Sequence, residues 1–217
     1  MDICFTIKKQ TIMQKLALII AFIISGIISG QSNYEKGMQK AFELWGTNPI
    51  EASNLFERIA TAESDNWLPP YYAAQVLITQ SFGEKDKGKL DSQLKKAQDL
   101  INDATAISKN NPEILVMQAV LHTAYVAYDG ATYGMQLSPK VAALYHQAAQ
   151  IDPTNPRVVL NKAEWDMGSS RFFGQDTAPF CKDLQRATEL FANFKPETPF
   201  HPKWGKEIAE QAVNNCK

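Results

Sequence analysis

The sequence predicts an all-α fold, an α-solenoid of about four helix pairs closed by a capping helix at the C-terminus. Three observations predict it. No alternation of apolar and polar residues persists anywhere, so strands are not indicated. Apolar residues instead recur in steps of three and four, the 3.6-residue period of a helix buried along one stripe. Four such stripes share one spacing and return after 45, 44 and 39 residues. They are Ala52/Phe56/Ile59, Ala97/Ile101/Ala104, Val141/Tyr145/Ala148 and Phe180/Leu184/Ala187. That is a degenerate internal repeat of paired helices.

The first thirty residues differ from the rest. Three lysines in "IKKQTIMQK" precede an apolar run from Leu16 to Ile28, which ends in small residues. A basic start, a short apolar middle and a small-residue end are the layout of a secretory signal. The run is shorter than the roughly 20 residues that cross a bilayer. Cleavage after Gly30 is therefore expected, with Gln31 at the mature end and Met1 or Met13 as the start. A retained anchoring N-terminus is the alternative. No cysteine follows the run to take a lipid. The repeat domain then spans 31–217, and no stable membrane insertion is expected of it. It carries 19 basic and 22 acidic residues, a net charge of −3. No basic stripe marks a nucleic-acid partner.

Helices follow in order near 33–46, 48–64, 68–82, 90–109, 112–128, 138–151, 156–169, 177–193 and 203–216. Four starts share one signal: Asn48-Pro49, Asn111-Pro112, Ser138-Pro139 and Asn155-Pro156. The Asn or Ser side chain accepts an orphan backbone N–H of the first turn. Proline loses nothing at the first helical position, where its missing N–H has no intrahelical partner. Asn48 and Glu51 also have capping-box spacing. The final helix, "PKWGKEIAEQAVNNCK", puts Trp204, Ile208 and Val213 on one side and charge on the other, as a cap requires.

The stretch "VAALYHQAAQIDPTNPRVVLNKA" resembles the tetratricopeptide repeat, through Val141, Tyr145, Ala148 and the Asp-Pro turn at Pro153. The small position of each first helix falls on Ala74, Ala119 and Ala163. The resemblance covers most of 34–194, but its period of 40–45 exceeds the family's, which is about 34. The excess lies inside the pairs, in "FGEKDKGKLDS", "YDGATYGMQLS" and "GSSRFFGQDT". The resemblance implies a right-handed solenoid in which the first helix of each pair lines a concave groove for a peptide or partner helix. Matched by position, the groove residues are Tyr71, Gln75, Ile78, Val116, Val120, Arg157, Leu160 and Glu164. No paired Lys and Asn clamp for a chain terminus is evident.

The aromatic loops 128–137 and 169–176 form a second candidate site, through Tyr128, Tyr133, Arg171, Phe172 and Phe173. They would line up along one edge as a ligand-gripping ridge. The ordinary alternative, which we favour, is that these rings pack against neighbouring loops. His122, His146 and His201 stand in separate repeats without metal-ligand spacing, so no metal site is expected. No nucleophile elbow, phosphate loop or dinucleotide fingerprint occurs, and no catalytic residue or cofactor is assigned.

Cys181 and Cys216 lie 17 residues before and 18 after Thr198, the centre of the turn "FKPETPFHP". In an antiparallel hairpin they reach the same level, within the roughly 4.4–6.8 Å that a disulfide needs between Cα atoms. Two unpaired thiols are the alternative. The functional expectation is a non-enzymatic, periplasmic or secreted scaffold or adaptor that binds another protein or peptide. The alternatives are an enzyme or small-ligand-binding protein using loops 128–137 and 169–176, and a purely architectural subunit of an envelope complex.

Overall fold

The computed structural model describes residues 33–216; the proposed leader lies outside them. Among the described residues there are nine helices and no strand. They are α1 (33–45), α2 (Pro49–Ala62), α3 (Leu68–Ser81), α4 (Lys87–Ile107), α5 (Pro112–Tyr128), α6 (Gly130–Ile151), α7 (Pro156–Phe172), α8 (Ala178–Asn193) and α9 (Lys206–Asn214). No described helix is long and apolar enough to cross a membrane.

Three Asn-Pro starts are built as caps. Asn48 Oδ1 accepts from the Glu51 backbone N–H, Asn111 Oδ1 from Glu113, and Asn155 Oδ1 from Arg157 and Val158. Glu51 does not reach back to complete a capping box; its carboxylate bonds Arg58 and Asn54 instead.

Ser138-Pro139 is a correction. Pro139 lies inside α6, which starts at Gly130 with Asp129 Oδ1 accepting from the Thr132 N–H. A proline in mid-helix removes one bond to the carbonyl four residues back. Here that carbonyl belongs to Met135, whose residue is 94% exposed, so water can take its place. The same helix packs on α5, with Tyr133 against Tyr125 and Leu137 buried, and this holds 130–137 helical despite two glycines. The expected loop 128–137 thus shrinks to Asp129. Likewise α7 continues to Phe172, and the loop expected at 169–176 spans 173–177.

Consecutive helices pack on one another, and α5 also touches both α3 and α7. The alanines of the stripes are fully enclosed: Ala52, Ala97, Ala104, Ala148 and Ala187. Phe56, Ile101, Tyr145 and Leu184 fill the space beside them. Small residues let two backbones approach, and each large apolar side chain buried contributes about 1.5–3 kcal/mol.

The segment 194–205 and α9 depart from the expected capping helix. Pro202 and a left-handed Gly205 (φ +106°) keep the chain out of helix until Lys206. A Cβ at Gly205 would sit 2.8 Å from Phe191 Cζ and 3.3 Å from Leu160 Cδ2, so this close approach needs glycine. Trp204 therefore belongs to the loop, not to a helix face, and Ile208 is exposed. The helix α9 rests on α8 through Ala209 and Val213. Cys181 near the start of α8 and Cys216 just past α9 form a disulfide, with Cα atoms 5.8 Å apart.

Candidate functional site

The 194–205 loop crosses the first helices of the pairs. It leaves α8 at Phe194, whose ring lies 4.4 Å from the Arg157 guanidinium carbon of α7. It reaches α1 at Phe200, which meets Tyr34 edge to face at 5.5 Å and stacks on Phe42 at 6.2 Å. It then returns to Leu160 and Phe191 at Gly205. Two hydrogen bonds hold its far end: Tyr72 Oη donates to the Phe200 carbonyl (2.7 Å), and Trp204 Nε1 donates to Tyr71 Oη (2.9 Å).

This places the groove residues. Tyr71, Gln75, Ile78, Val116, Arg157 and Leu160 are buried, Val120 is half-buried, and Glu164 is exposed. Tyr71 and Arg157 touch the loop directly. An incoming peptide would reach them only after displacing that segment of the same chain.

Beneath the loop, Arg157 donates through Nε and Nη2 to the Glu113 carboxylate at 2.7–2.9 Å. Asn155 Nδ2 donates to Glu113 Oε1 at 2.6 Å. The enclosed Glu113 carboxylate is thus answered by three donors, whereas Arg157 Nη1 has no partner among the described residues. His201 sits against this pair. Its Nε2 is 3.9 Å from Glu113 Oε1, and its Nδ1 is 3.8 Å from Glu197 Oε2. Burial pushes its pKa below the ordinary histidine value, against the opposing pull of Glu113, so the ring is neutral at pH 7 and these are contacts rather than ion pairs. Burial raises the Tyr71 and Tyr72 phenols, which stay protonated; Tyr72 donates to the Phe200 carbonyl while Tyr71 Oη accepts from Trp204.

Where the loop passes α1 and α3, an open cleft of about 330 Å³ remains. Phe42, Trp45, Tyr72, Pro199, Phe200 and Trp204 supply its apolar surface, and Gln75, His201 and Lys203 its polar one. The rings are fixed by one another: Phe42 meets Tyr72 edge to face at 4.7 Å, and Trp45 meets Phe56 and Tyr72 at 6.4 Å. Such edge-to-face pairs are favourable beyond their burial alone. Most of these residues are not singled out by sequence reasoning, in which "FKPETPFHP" reads as a plain turn. A signal is present all the same, because a simple connection does not need Phe194, Phe200 and Trp204 within eleven residues.

The aromatic ridge residues divide. Tyr133 packs on Tyr125 at 5.1 Å, and Tyr128 packs on the core while its hydroxyl donates to the Lys85 carbonyl. Phe172 and Phe173 touch each other edge to face but are 84% and 71% exposed, and Arg171 is exposed too. Among the described residues no group of three or more His, Cys, Asp or Glu side chains is placed to hold a metal ion.

Among solved structures, the chain superposes on one described as the HusA haemophore from Porphyromonas gingivalis, with a TM-score of 0.74. The two share a fold. The match covers 84% of this chain and 92% of that one, at 21% identity. No family profile matches the sequence, and no curated protein does.

Proposed function

We propose that this protein is an exported, non-enzymatic carrier for a planar, largely apolar aromatic ligand of the haem class. The ligand is bound in the cleft between α1, α3 and the 194–205 loop. The observation that carries this reading is the set of five aromatic rings, Phe42, Trp45, Tyr72, Phe200 and Trp204, gathered around one open cleft. Flat aromatic faces with few polar groups suit a flat apolar ligand. The cleft takes one edge of a large macrocycle and leaves the remainder in solvent. In this reading stacking on the aromatic faces holds the ring. The haemophore neighbour supports the ligand class, and the disulfide supports a secreted or periplasmic location. In this reading the helices form a right-handed, tetratricopeptide-like solenoid of four pairs, whose groove is closed by its own chain.

Titration with haemin and with metal-free protoporphyrin tests it. Both should quench tryptophan fluorescence with roughly micromolar or tighter affinity. Trp45→Ala should weaken both by about tenfold, since base-like ring stacking is worth about 1–3 kcal/mol. Absence of quenching by either compound would remove the carrier reading.

The adaptor reading keeps one supporting observation, the exposed Met135, Phe172 and Phe173. Exposed apolar side chains at helix ends suit a protein contact. A Phe172→Ser/Phe173→Ser variant that loses a partner yet still binds porphyrin would establish it beside the carrier role.

A further inference from the structure

Nearly every polar group lining the cleft is already committed. The Tyr72 hydroxyl is spent on the Phe200 carbonyl, and the Trp204 indole N–H on Tyr71. His201 holds its nitrogens 3.9 Å from Glu113 and 3.8 Å from Glu197, as contacts without a hydrogen bond. Two groups remain. Gln75 is only 8% exposed, and its Oε1 is enclosed without any hydrogen-bond partner among the described residues. Thr79, one turn further along α3, bonds only the Gln75 backbone carbonyl. Lys203 stands exposed at the rim, with no acidic partner among the described residues. A buried amide with nothing to bond is costly unless something fills the position. An ammonium beside an apolar cleft is placed for an anion that the cleft itself does not provide.

We propose that Gln75 and Lys203 read carboxyl side chains on one edge of the planar ligand, so that the cleft selects acidic porphyrins over their esters. This rests on the carrier reading above and specifies its chemistry. The aromatic walls supply affinity for any flat ring of the right size. The amide of Gln75 can donate to a carboxyl oxygen and accept from a carboxylic O–H, and it can do both at once to a protonated acid. The Lys203 ammonium pairs with an ionised carboxylate that stays in contact with water, where desolvation is small. An ester keeps a carbonyl that can accept the Gln75 N–H, but it has no O–H to give Gln75 and no charge to give Lys203. A site built around a buried hydrogen-bonding group rejects a ligand that leaves it unpaired more strongly than an apolar pocket rejects a change of size.

The test compares protoporphyrin IX with its dimethyl ester by tryptophan quenching, on the purified protein and on Gln75→Leu, Lys203→Met and the double variant. The wild type should bind the free acid at least about tenfold tighter than the ester, the margin of one or two added hydrogen bonds. The acid-to-ester ratio should fall in each single variant and approach one in the double variant. Acid binding by the wild type should also weaken with added salt more than ester binding does. Gln75→Leu should melt no lower than the wild type, because it removes an unpartnered amide from an enclosed position. A wild-type ratio near one, or an unchanged ratio in the double variant, overturns the proposal while leaving the carrier reading intact. If neither porphyrin binds the wild type, both fall together. Should Gln75→Leu not fold, Lys203→Met and the salt dependence decide the question alone.

Discussion

Among the described residues Arg157 is the bulkiest side chain enclosed completely, and Glu113 is the only anionic partner within bonding distance of it. One guanidinium nitrogen, Nη1, has no partner among the described residues, so the pair is already incompletely satisfied. Removing one partner leaves the other as an uncompensated buried charge. Glu113→Gln should therefore cost about 3–5 kcal/mol in urea unfolding, whereas Glu113→Leu with Arg157→Met should cost far less. Equal losses would mean that the pair is not the determinant. His201, at the edge of the same cluster, titrates in a definable direction. Its folded-state pKa is depressed by burial, so the unfolded chain binds a proton first. Stability from this residue is full above the ordinary histidine pKa and falls as pH drops through that value toward the folded one. His122 is lowered by burial as well and adds to the same trend. His201→Phe should flatten the decline in melting temperature between about pH 7 and 5.5, relative to wild type. An identical slope would place the effect elsewhere.

At the scale of elements, the close-approach alanines make the sharpest prediction. Ala148 is fully enclosed between Val141, Tyr145 and Val158 of its cluster, while His122 is half-buried and bonded to Gln118. Ala148→Leu should destabilise by about 1–3 kcal/mol through overpacking, more than His122→Ala does. The reverse order in thermal melts would refute the packing register. These alanines are legible in the sequence because helix periodicity and a repeated small-large-small stripe are local signals. So are the Asn-Pro caps and the spacing of Cys181 and Cys216. Pro139 is not, since Ser138-Pro139 has the same local signature as the true starts. What decides it lies on another helix, where α5 covers the inner face of 130–137. The cleft is hidden for a similar reason. Its rings cannot be paired by eye when their partners stand far along the chain: Tyr34 and Phe42 meet Phe200, and Tyr71 bonds Trp204 across 133 residues. Of the expected groove residues Tyr71 and Arg157 meet the 194–205 loop, and no local signal announces that contact.

Across the whole molecule, the disulfide and the cleft are linked. The 194–205 loop supplies Pro199, Phe200, His201, Lys203 and Trp204 to the cleft, and the α8–α9 disulfide brackets that loop. Cys181→Ser/Cys216→Ser removes a closure spanning 35 residues. In the chain-entropy account this costs about 4 kcal/mol. On the carrier reading proposed above it should also weaken porphyrin binding, because part of the binding energy must then order the loop. Unaltered affinity in a destabilised variant would separate the two. The converse follows by linkage: porphyrin at about 100 times its Kd should add about 2.7 kcal/mol of stability. Hydrogen exchange should show the gain concentrated in residues 198–204.

The return of Phe200 to Tyr34 and Phe42 also sets the order in which the chain can be completed. In a helical array whose units touch only their neighbours, each unit can settle as soon as the next has been made. Here α1 finds an aromatic partner that is synthesised more than 150 residues later. Such distant closure slows folding, since the ends must meet before the contact is gained. The first helix accordingly stays incompletely packed until nearly all of the chain has emerged.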